Sequence, residues 1–401
     1  MRLRNLLAGL RRRWLLVVSA LAVLVVCVPV TAIVANAPLR DFIYREVSYA
    51  LLTDRLVGDE RDPAQIALRL NEFIAENVYP GGGPVLDTNS WNDLVRGIGW
   101  CDQDAWMLGT LLATRDIHGK IVFLEGQGGA PQHTVAEVLL DGEWRVFDPL
   151  YGLAFHRTYG DLSRDPSSAI AHPVVQALPP ATRTQLEAFF LKLYSNPEDP
   201  GRWTSLVVSK YGTRPRRAAR AAVRLYVDLF GSWGANRIQD LYLGLLPDRL
   251  VALDDAIRVG NRPVFHTEEE DPALFLFYRA RNYHLYGRAD EAERLYGELV
   301  ERHPSSYYAE KTAYFAAHLE WKLRRDPQAA LDQFAAFIRR YPNSTWLPLA
   351  HDTLGGIYEE LGDRSRAIEH YRVASANEWV HAASRLKELN FDAESAQLRV
   401  P

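Results

Sequence analysis

Cysteine is nearly absent from this chain, which has only Cys27 and Cys101 among its 401 residues. Cys27 lies inside a long apolar segment, so the two thiols are expected in different compartments and a structural disulfide is not expected. Zinc sites built from thiolates need neighbouring cysteines, and the histidines show no spacing typical of metal ligands. The scarcity of cysteine therefore argues against a disulfide framework and against a metal site.

A surplus of positive charge is also missing. The formal net charge is −4, and five arginines stand near the N-terminus, so the rest of the chain carries about −9. These arginines are Arg2, Arg4, Arg11, Arg12 and Arg13. A nucleic-acid partner is therefore not expected. The length suggests two or three domains, and 48% hydrophobic residues with 11% aromatics supply a core for each.

One long apolar run lies near the N-terminus, where the 22 residues from Trp14 to Ala35 carry no charge. As a helix this run covers roughly 33 Å, the thickness of a bilayer's hydrocarbon core. The arginines before it predict one membrane helix, a cytoplasmic N-terminus and a periplasmic or otherwise extracytoplasmic body. The alternative is a cleaved signal peptide, because "ANA" at 35–37 matches a small-x-small site, although the run is longer than such peptides usually have.

Two helices are predicted between residues 60 and 119. The first ends before "PGGGP" at 80–84. Its apolar residues at helical spacing are Ile66, Leu68, Leu70, Phe73 and Ile74. The second begins beside Cys101 and closes near Gly119. Its apolar face consists of Ala105, Leu108, Leu111 and Leu112. Cys101 is therefore expected in the first turn of a helix.

Three short runs after this helix predict an antiparallel sheet. They are "KIVFLEG", "HTVAEVLLD" and "EWRVFDPLY", and the last two are joined by Asp141 and Gly142, a strong hairpin signal. His133 opens the second strand and Asp148 closes the third. Because the two residues lie at similar distances from the turn, antiparallel pairing is expected to bring them close together.

Helical repeats are predicted from about residue 272 onward. Three segments align with an alanine column, an aromatic column and a terminal proline, at spacings of 38 and 37 residues. The columns are Ala292, Ala330 and Ala367; Tyr296, Phe334 and Tyr371; and Pro304 and Pro342. The pattern resembles tetratricopeptide-type helical hairpins, whose stacked arrays usually bind peptides or proteins on a concave face. A purely structural extension of the preceding helices is the alternative.

Cys101, His133 and Asp148 together suggest nucleophilic chemistry. A thiol attacks acyl carbonyls well only as the thiolate, which a helix N-terminus and a nearby imidazolium both favour. The imidazole in turn needs an orienting group on its other ring nitrogen. The order along the chain is then Cys, His and Asp.

These residues resemble the transglutaminase-like papain superfamily, in which a cysteine opens a helix, a histidine opens a strand and an aspartate closes the next. The most specific part is the layout H-x3-E-V-x2-D-G-x-W-x3-D-P, which begins at His133 and includes Glu137, Val138, Asp141, Gly142, Trp144, Asp148 and Pro149. The resemblance covers about residues 60 to 155. It implies that Cys101 is the nucleophile, His133 the general base and acid, and Asp148 the orienting carboxylate, acting through a thioester without a cofactor.

The predicted fold class is α+β: a transglutaminase-like core with the cysteine helix packed on an antiparallel sheet, followed by a helical repeat solenoid. The predicted domains are 1–37, a basic stub and membrane anchor; 38–155, the transglutaminase-like domain; 156–270, a mostly helical middle region; and 271–401, the repeats. Within the middle region, "RPRRAARAAVR" at 214–224 suggests contact with an anionic lipid or polysaccharide, or simply a solvated helix face.

Three functional hypotheses follow. The first is a membrane-anchored thiol enzyme that cleaves or transfers an amide acyl group on a peptide or protein, with the repeats recruiting a protein partner. The second is a catalytically silent scaffold in an envelope or polysaccharide assembly, since Asp102 and Asp104 put negative charge near the thiol and no oxyanion donor is evident beyond the N–H of Cys101. The third is a redox-sensing thiol that does not depend on His133.

Overall fold

The computed structural model describes residues 37–80, 90–125, 131–165, 217–245, 258–259, 262–263 and 273–376, with the single positions 167, 382, 385, 386 and 389. Among these residues, 37–48 and 217–239 form one compact unit and the remainder forms a second. No helix in the described ranges is both long and apolar enough to cross a membrane. The predicted membrane run, Trp14 to Ala35, lies outside them.

The described part of the chain is mostly helical, with one small antiparallel sheet and C-terminal helical hairpins. Its helices are α1 (Ala37–Val57), α2 (Pro63–Asn77), α3 (Ser90–Arg96), α4 (Cys101–Ala113), α5 (Tyr159–Arg164), α6 (Arg217–Leu245), α7 (Leu274–Leu285), α8 (Ala289–Arg302), α9 (Tyr307–Leu319), α10 (Pro327–Arg340), α11 (Leu347–Glu360) and α12 (Arg364–Ala376). Its strands are β1 (Tyr79–Pro80), β2 (Ile98–Gly99), β3 (Gly119–Glu125), β4 (Pro131–Leu140), β5 (Glu143–Asp148), β6 (Leu153–Ala154), β7 (Arg258–Val259) and β8 (Arg262–Pro263). A π-helical turn, Glu320–Arg324, continues α9.

The antiparallel sheet has the strand order β3-β4-β5-β6. Asp141 and Gly142 both adopt positive φ angles, 54° and 83°, as a tight two-residue hairpin requires, so the hairpin predicted from "DG" is confirmed. Helix α4 packs against β3 and β4 and buries Leu108, Leu111 and Leu112 there. The short strand β6 was not predicted. The sheet and α4 together position the residues singled out by the sequence.

The two helices predicted before the sheet are present, but the end predicted for the second is wrong. Asp62 begins α2 by accepting the N–H of Ala64, and Pro63 occupies the first helical position. Helix α4 ends at Ala113 rather than near Gly119. The chain turns there because the N–H of Ile117 returns to the carbonyl of Leu112, while Asp116 adopts a left-handed conformation with φ 57°. Gly119 instead begins β3.

The C-terminal helices form three consecutive hairpins, α7–α8, α9–α10 and α11–α12, as the repeat pattern predicts. Every member of the alanine and aromatic columns is buried in the second helix of its hairpin: Ala292, Ala330 and Ala367, and Tyr296, Phe334 and Tyr371. A Cβ atom on Gly355 would lie 2.5 Å from the Tyr371 ring, so a glycine is needed where α11 and α12 approach. The columns therefore mark contacts within and between hairpins.

Helix α3 joins the first hairpin to the sheet-containing part of the same compact unit. The indole of Trp91 is fully buried, and its Nε1 donates a hydrogen bond of 2.9 Å to Oδ1 of Asn282. The same ring stacks on Tyr286, with centroids 5.6 Å apart and planes at 12°. A buried aromatic ring with both a hydrogen bond and a stacking partner ties α3 to α7 strongly.

The C-terminal end of α3 is also closed by a repeat residue. Buried Arg281 on α7 donates through Nη2 to the carbonyl of Leu94 at 3.0 Å and through Nε to that of Val95 at 3.1 Å. The last carbonyls of a helix have no partner within the helix, and they carry partial negative charge that favours a cation. Arg281 satisfies both requirements, although it lies nearly 190 residues further along the chain.

The corner between α3 and β2 packs against the second and third hairpins. Gly97 has φ 67°, and a Cβ atom there would lie 2.7 Å from Phe315 and 3.1 Å from Trp346. Lys311 is buried nearby, with its ammonium 4.7 Å from the centroid of the Tyr307 ring. Burial, together with neighbouring Arg96, lowers the pKa of Lys311 to about 7. Part of the surface formed by the first helices of the hairpins is therefore occupied by the chain's own α3–β2 corner.

Candidate active site

The hairpin between β4 and β5 brings two of the three predicted site residues together. Ala136 pairs with Phe147, so continuing the register places Asp148 opposite Val135, two residues from His133 on the same face. Nε2 of His133 lies 2.7 Å from Oδ2 of Asp148, and both side chains are buried. The proximity expected from the spacing around Asp141 and Gly142 is present.

Cys101 is the first residue of α4 and remains partly exposed. The helix begins there because Trp100 is extended, with its N–H donating 2.9 Å to Oε1 of Gln103 and its carbonyl accepting the N–H of Asp104. Amide groups in the first turn have no partners within the helix, and they give the N-terminus partial positive charge. The thiol therefore lies where a developing negative charge is stabilised.

Cys101 lies close enough to His133 for its sulfur to raise the pKa of the imidazole. Because Nε2 of the imidazole faces Asp148, Nδ1 is the ring nitrogen left for the thiol. Burial by itself lowers the pKa of His133, but the carboxylate of Asp148 and the Cys101 sulfur outweigh it and raise this pKa to about 10. The structure thus brings Cys101, His133 and Asp148 into one continuous arrangement that favours a protonated imidazole, while their catalytic roles stay predictions.

Tyr151 is a fourth residue at this site, and the sequence analysis did not single it out. Its ring centroid is 5.6 Å from that of His133, with the planes tilted by 39°. Burial raises the pKa of the Tyr151 phenol, and Asp148 and Cys101 raise it further. The phenol therefore keeps its proton beside His133. Its position three residues after Asp148, in "DPLYG", was the available signal.

A buried polar network under the first turn of α4 connects the site to α3. Asp93 accepts hydrogen bonds from the guanidinium of Arg96 and, at 3.2 Å, from Nε2 of Gln103. The side-chain Oε1 of the same Gln103 accepts the backbone N–H of Trp100. The end of the helix that carries Cys101 is thereby fixed to the segment that Trp91 attaches to the repeats.

Asp104 lies one turn after Cys101 and is almost completely buried. Neither of its carboxyl oxygens has a hydrogen-bond partner among the described residues, and Oδ1 would lie 2.7 Å from a Cβ atom on Gly99. Burial raises the pKa of Asp104 well above its ordinary value, and the neighbouring Cys101 and Asp93 add to the effect. A buried carboxylate without partners is costly, so the neutral acid is favoured. A neutral Asp104 places no negative charge beside the thiol, so it does not disfavour a thiolate as its residue type had suggested.

An Asp104→Asn variant is expected to be more stable than the wild type at pH 7 and above. In the unfolded chain this carboxyl ionises near pH 4, whereas folding keeps it protonated, so the carboxyl costs stability as pH rises above about 4. The stability difference should grow by up to about 1.4 kcal/mol per pH unit and vanish below pH 4. Urea unfolding of both proteins from pH 4 to 8 measures it, with Asp102→Asn as the control. A constant difference across this range would contradict a neutral Asp104.

A metal site finds no support in the described residues, which contain no group of three or more histidine, cysteine, aspartate or glutamate side chains able to hold an ion. Comparison with known protein families matches residues 275–306 to the tetratricopeptide repeat. The match covers α7 and α8, the first of the three hairpins. No curated protein and no solved structure matches the chain. The match supports the helical repeats and a protein partner, because such repeats generally mediate protein–protein interactions.

Proposed function

We propose that this protein is a membrane-anchored, extracytoplasmic cysteine enzyme of the transglutaminase-like type, which hydrolyses or transfers an amide acyl group of a peptide or protein. The observation that carries the proposal is the 2.7 Å contact between His133 and Asp148, with Cys101 near the same imidazole at a helix N-terminus. Each nitrogen of the imidazole then has the partner that a thiol nucleophile requires.

The reaction begins with attack of the Cys101 thiolate on the substrate's amide carbonyl. As the S–C bond forms, the oxyanion develops at the N-terminus of α4, whose partial positive charge stabilises it. Protonated His133 gives its proton to the departing amine, and the C–N bond breaks to leave a thioester on Cys101. Neutral His133 then accepts a proton from water or an acceptor amine as that nucleophile attacks the thioester. The acid or the new amide is released, and the thiolate–imidazolium pair returns.

Two aromatic residues adjoin the proposed catalytic residues: Tyr151 lies beside His133, and Trp100 directly precedes Cys101. The protonated phenol of Tyr151 lies near His133 and adds no negative charge to the site. Trp100 precedes the nucleophile and is 40% exposed, so its indole offers an apolar face to a bound acyl group. Both contributions are compatible with a peptide or protein substrate.

The predicted anchor supports a membrane location for the proposed enzyme, and the repeats support a protein partner. The uncharged run from Trp14 to Ala35, after five arginines, supports a single membrane helix with the body outside the cytoplasm. The tetratricopeptide match at 275–306 supports recruitment of a protein partner. Because the α3–β2 corner covers part of the hairpins, the partner binds the remaining repeat surface.

The pH dependence of Cys101 alkylation tests the proposed activation of the thiol. The full chain in detergent is treated with iodoacetamide from pH 5 to 10, and the Cys101 peptide is quantified by mass spectrometry separately from Cys27. At pH 7 the wild type should react about tenfold faster than His133→Ala, because an unassisted thiol is only about 3% ionised there. His156→Ala, which removes an exposed histidine, is the matched control and should match the wild type. Equal rates in all three folded proteins would refute a His133-activated thiolate.

The second candidate function is a catalytically silent scaffold, which the repeat match favours. In that case Cys101→Ser should leave partner binding and cellular function intact. An enzyme would instead lose its cellular function in Cys101→Ser while keeping its fold and its partner. Comparing complementation with co-purification of the partner in this one variant separates the two functions. The redox-sensing hypothesis predicts function that persists in His133→Ala but is lost in Cys101→Ser.

A further inference from the structure

Helix α6 exposes an apolar face in its N-terminal two thirds. Leu225 is 59% exposed, Leu229 67%, Phe230 51% and Trp233 63%. Leu225 and Leu229 are four residues apart, which places both on one face of the helical segment before Gly231. The backbone leaves the helical conformation at Gly231 (φ 56°, ψ −156°), and Phe230 and Trp233 lie on either side of this kink. Val223 and Val227 on the other face are buried. We call the four exposed side chains the α6 apolar face.

This concentration of exposed apolar side chains is particular to α6. Within the part of the chain that the structure describes, nine large apolar side chains are exposed, and four of them lie within nine consecutive residues of α6. Single exposed apolar residues are normal on a soluble surface, whereas a contiguous patch that includes tryptophan and phenylalanine marks a contact with a partner or a membrane. The α6 apolar face therefore calls for an occupant.

The charge around this face favours an anionic occupant. Residues 214–239 contain six arginines and a single acidic residue, Asp228, whereas the chain as a whole is negative. The guanidinium of Arg237 lies 5.6 Å from the centroid of the Trp233 ring, so positive charge reaches the apolar face itself. Apolar and aromatic side chains combined with arginines are the composition of helices that lie in the interface of an anionic bilayer.

The attachment of α6 to α1 also favours a membrane contact. In its compact unit α6 packs with residues 37–48 of α1. Nε2 of Gln239 donates 2.8 Å to Oγ of Ser48, whose hydroxyl bonds the carbonyl of Tyr44 at 2.7 Å. Helix α1 begins at Ala37, two residues after the end of the apolar run predicted to span the membrane. The chain that carries α6 is thus attached to the segment that would emerge from the bilayer.

We infer that the α6 apolar face lies in the interface of an anionic lipid bilayer, with its leucines and aromatic rings among the acyl chains and Arg224 and Arg237 at the headgroups. This second membrane contact is independent of the chemistry at Cys101. It would fix the orientation of the smaller compact unit on the membrane, which a single spanning helix leaves free to rotate. A protein partner or another segment of this chain on the same face is an outcome that the test below distinguishes.

The test is hydroxyl-radical labelling of the full chain reconstituted into two kinds of nanodisc, one of phosphatidylcholine alone and one with about a third phosphatidylglycerol. Labelling of Phe230 and Trp233 is read by mass spectrometry. We expect at least about threefold protection of both residues in the anionic discs relative to the neutral ones, with the difference reduced at high salt because charge attraction is screened. Tyr307, exposed on the repeats, should label equally in both discs.

A pair of charge variants makes the same test independent of any one disc preparation. Arg224→Gln with Arg237→Gln removes two arginines of α6, one of which lies against the Trp233 ring, and should abolish the extra protection. Arg294→Gln with Arg302→Gln removes two exposed arginines from α8 and should leave it unchanged. Equal labelling of Trp233 in both discs overturns the inference, because a water-exposed face labels strongly in both and a protein-covered face weakly in both.

Discussion

A His133→Ala variant is expected to turn over an activated acyl ester such as p-nitrophenyl acetate about a thousandfold more slowly than the wild type. The leaving group of this ester needs no proton, so the loss falls on thiolate formation and on hydrolysis of the thioester. Positioned general bases typically contribute 10²- to 10⁴-fold, which sets the expected range. His133 bonds Asp148 and lies near Cys101, so its loss removes the proposed base. Stopped-flow and steady-state release of p-nitrophenol measure the two steps separately.

Two further variants test whether the loss of activity in His133→Ala is catalytic or structural. Asp148→Asn keeps the shape of the side chain but removes its charge, so deacylation should slow while the fold remains. His156→Ala should keep the wild-type rate, since His156 is exposed. If His133→Ala retained a rate within threefold of the wild type, the imidazole would not be the base, and the arrangement would be structural.

Replacing Trp91 with alanine is expected to lower the free energy of unfolding by about 3 to 5 kcal/mol, the range measured for removal of fully buried aromatic side chains. The indole fills the contact between α3 and the first repeat hairpin, and its loss also leaves Asn282 without this hydrogen-bond donor. Urea unfolding followed by circular dichroism gives the change. Because the repeats and the sheet belong to one compact unit, the loss should appear as an earlier unfolding of both together.

Trp100→Ala is the matched control for this prediction, because that indole is 40% exposed and its removal leaves no internal cavity. It should change the free energy of unfolding by less than about 1 kcal/mol. Similar losses in the two variants would contradict the burial difference. Separate unfolding of the repeats, with Trp91→Ala affecting only one of two transitions, would contradict a tight α3–α7 junction.

Local sequence signals were sufficient for the parts of the site that depend on neighbouring residues. The pair Asp141–Gly142 determines the turn, and the turn determines which residues of β4 and β5 face each other, so the approach of His133 and Asp148 could be predicted. The repeat columns were predictable for a similar reason, because each hairpin must bury the same positions against its neighbours.

Other features depend on contacts between distant segments and left no local signal. Arg281 closes α3 from nearly 190 residues away, and it looks like an ordinary helix arginine in the sequence. In the sequence, Asp104 has the appearance of an ordinary charged residue in the first turn of a helix. In the structure its carboxyl group is buried beside Gly99, and burial favours the neutral acid. The turn after the early end of α4 includes a left-handed conformation at Asp116, where a glycine would have been the clearer sequence signal. Burial and long-range pairing, rather than propensity, decide these cases.

The most direct test of the central claim is to look for an acyl group on Cys101. The full chain in detergent is mixed with p-nitrophenyl acetate, quenched in acid and digested, and the acetylated residues are identified by mass spectrometry. We expect one acetyl group on Cys101 that disappears with time in the wild type and persists in His133→Ala. If the enzyme is a transferase, the wild-type adduct should disappear faster when an amine acceptor is added. Acetylation that spares Cys101, or a Cys101 adduct whose formation and loss are unaffected by His133→Ala, would contradict the central claim.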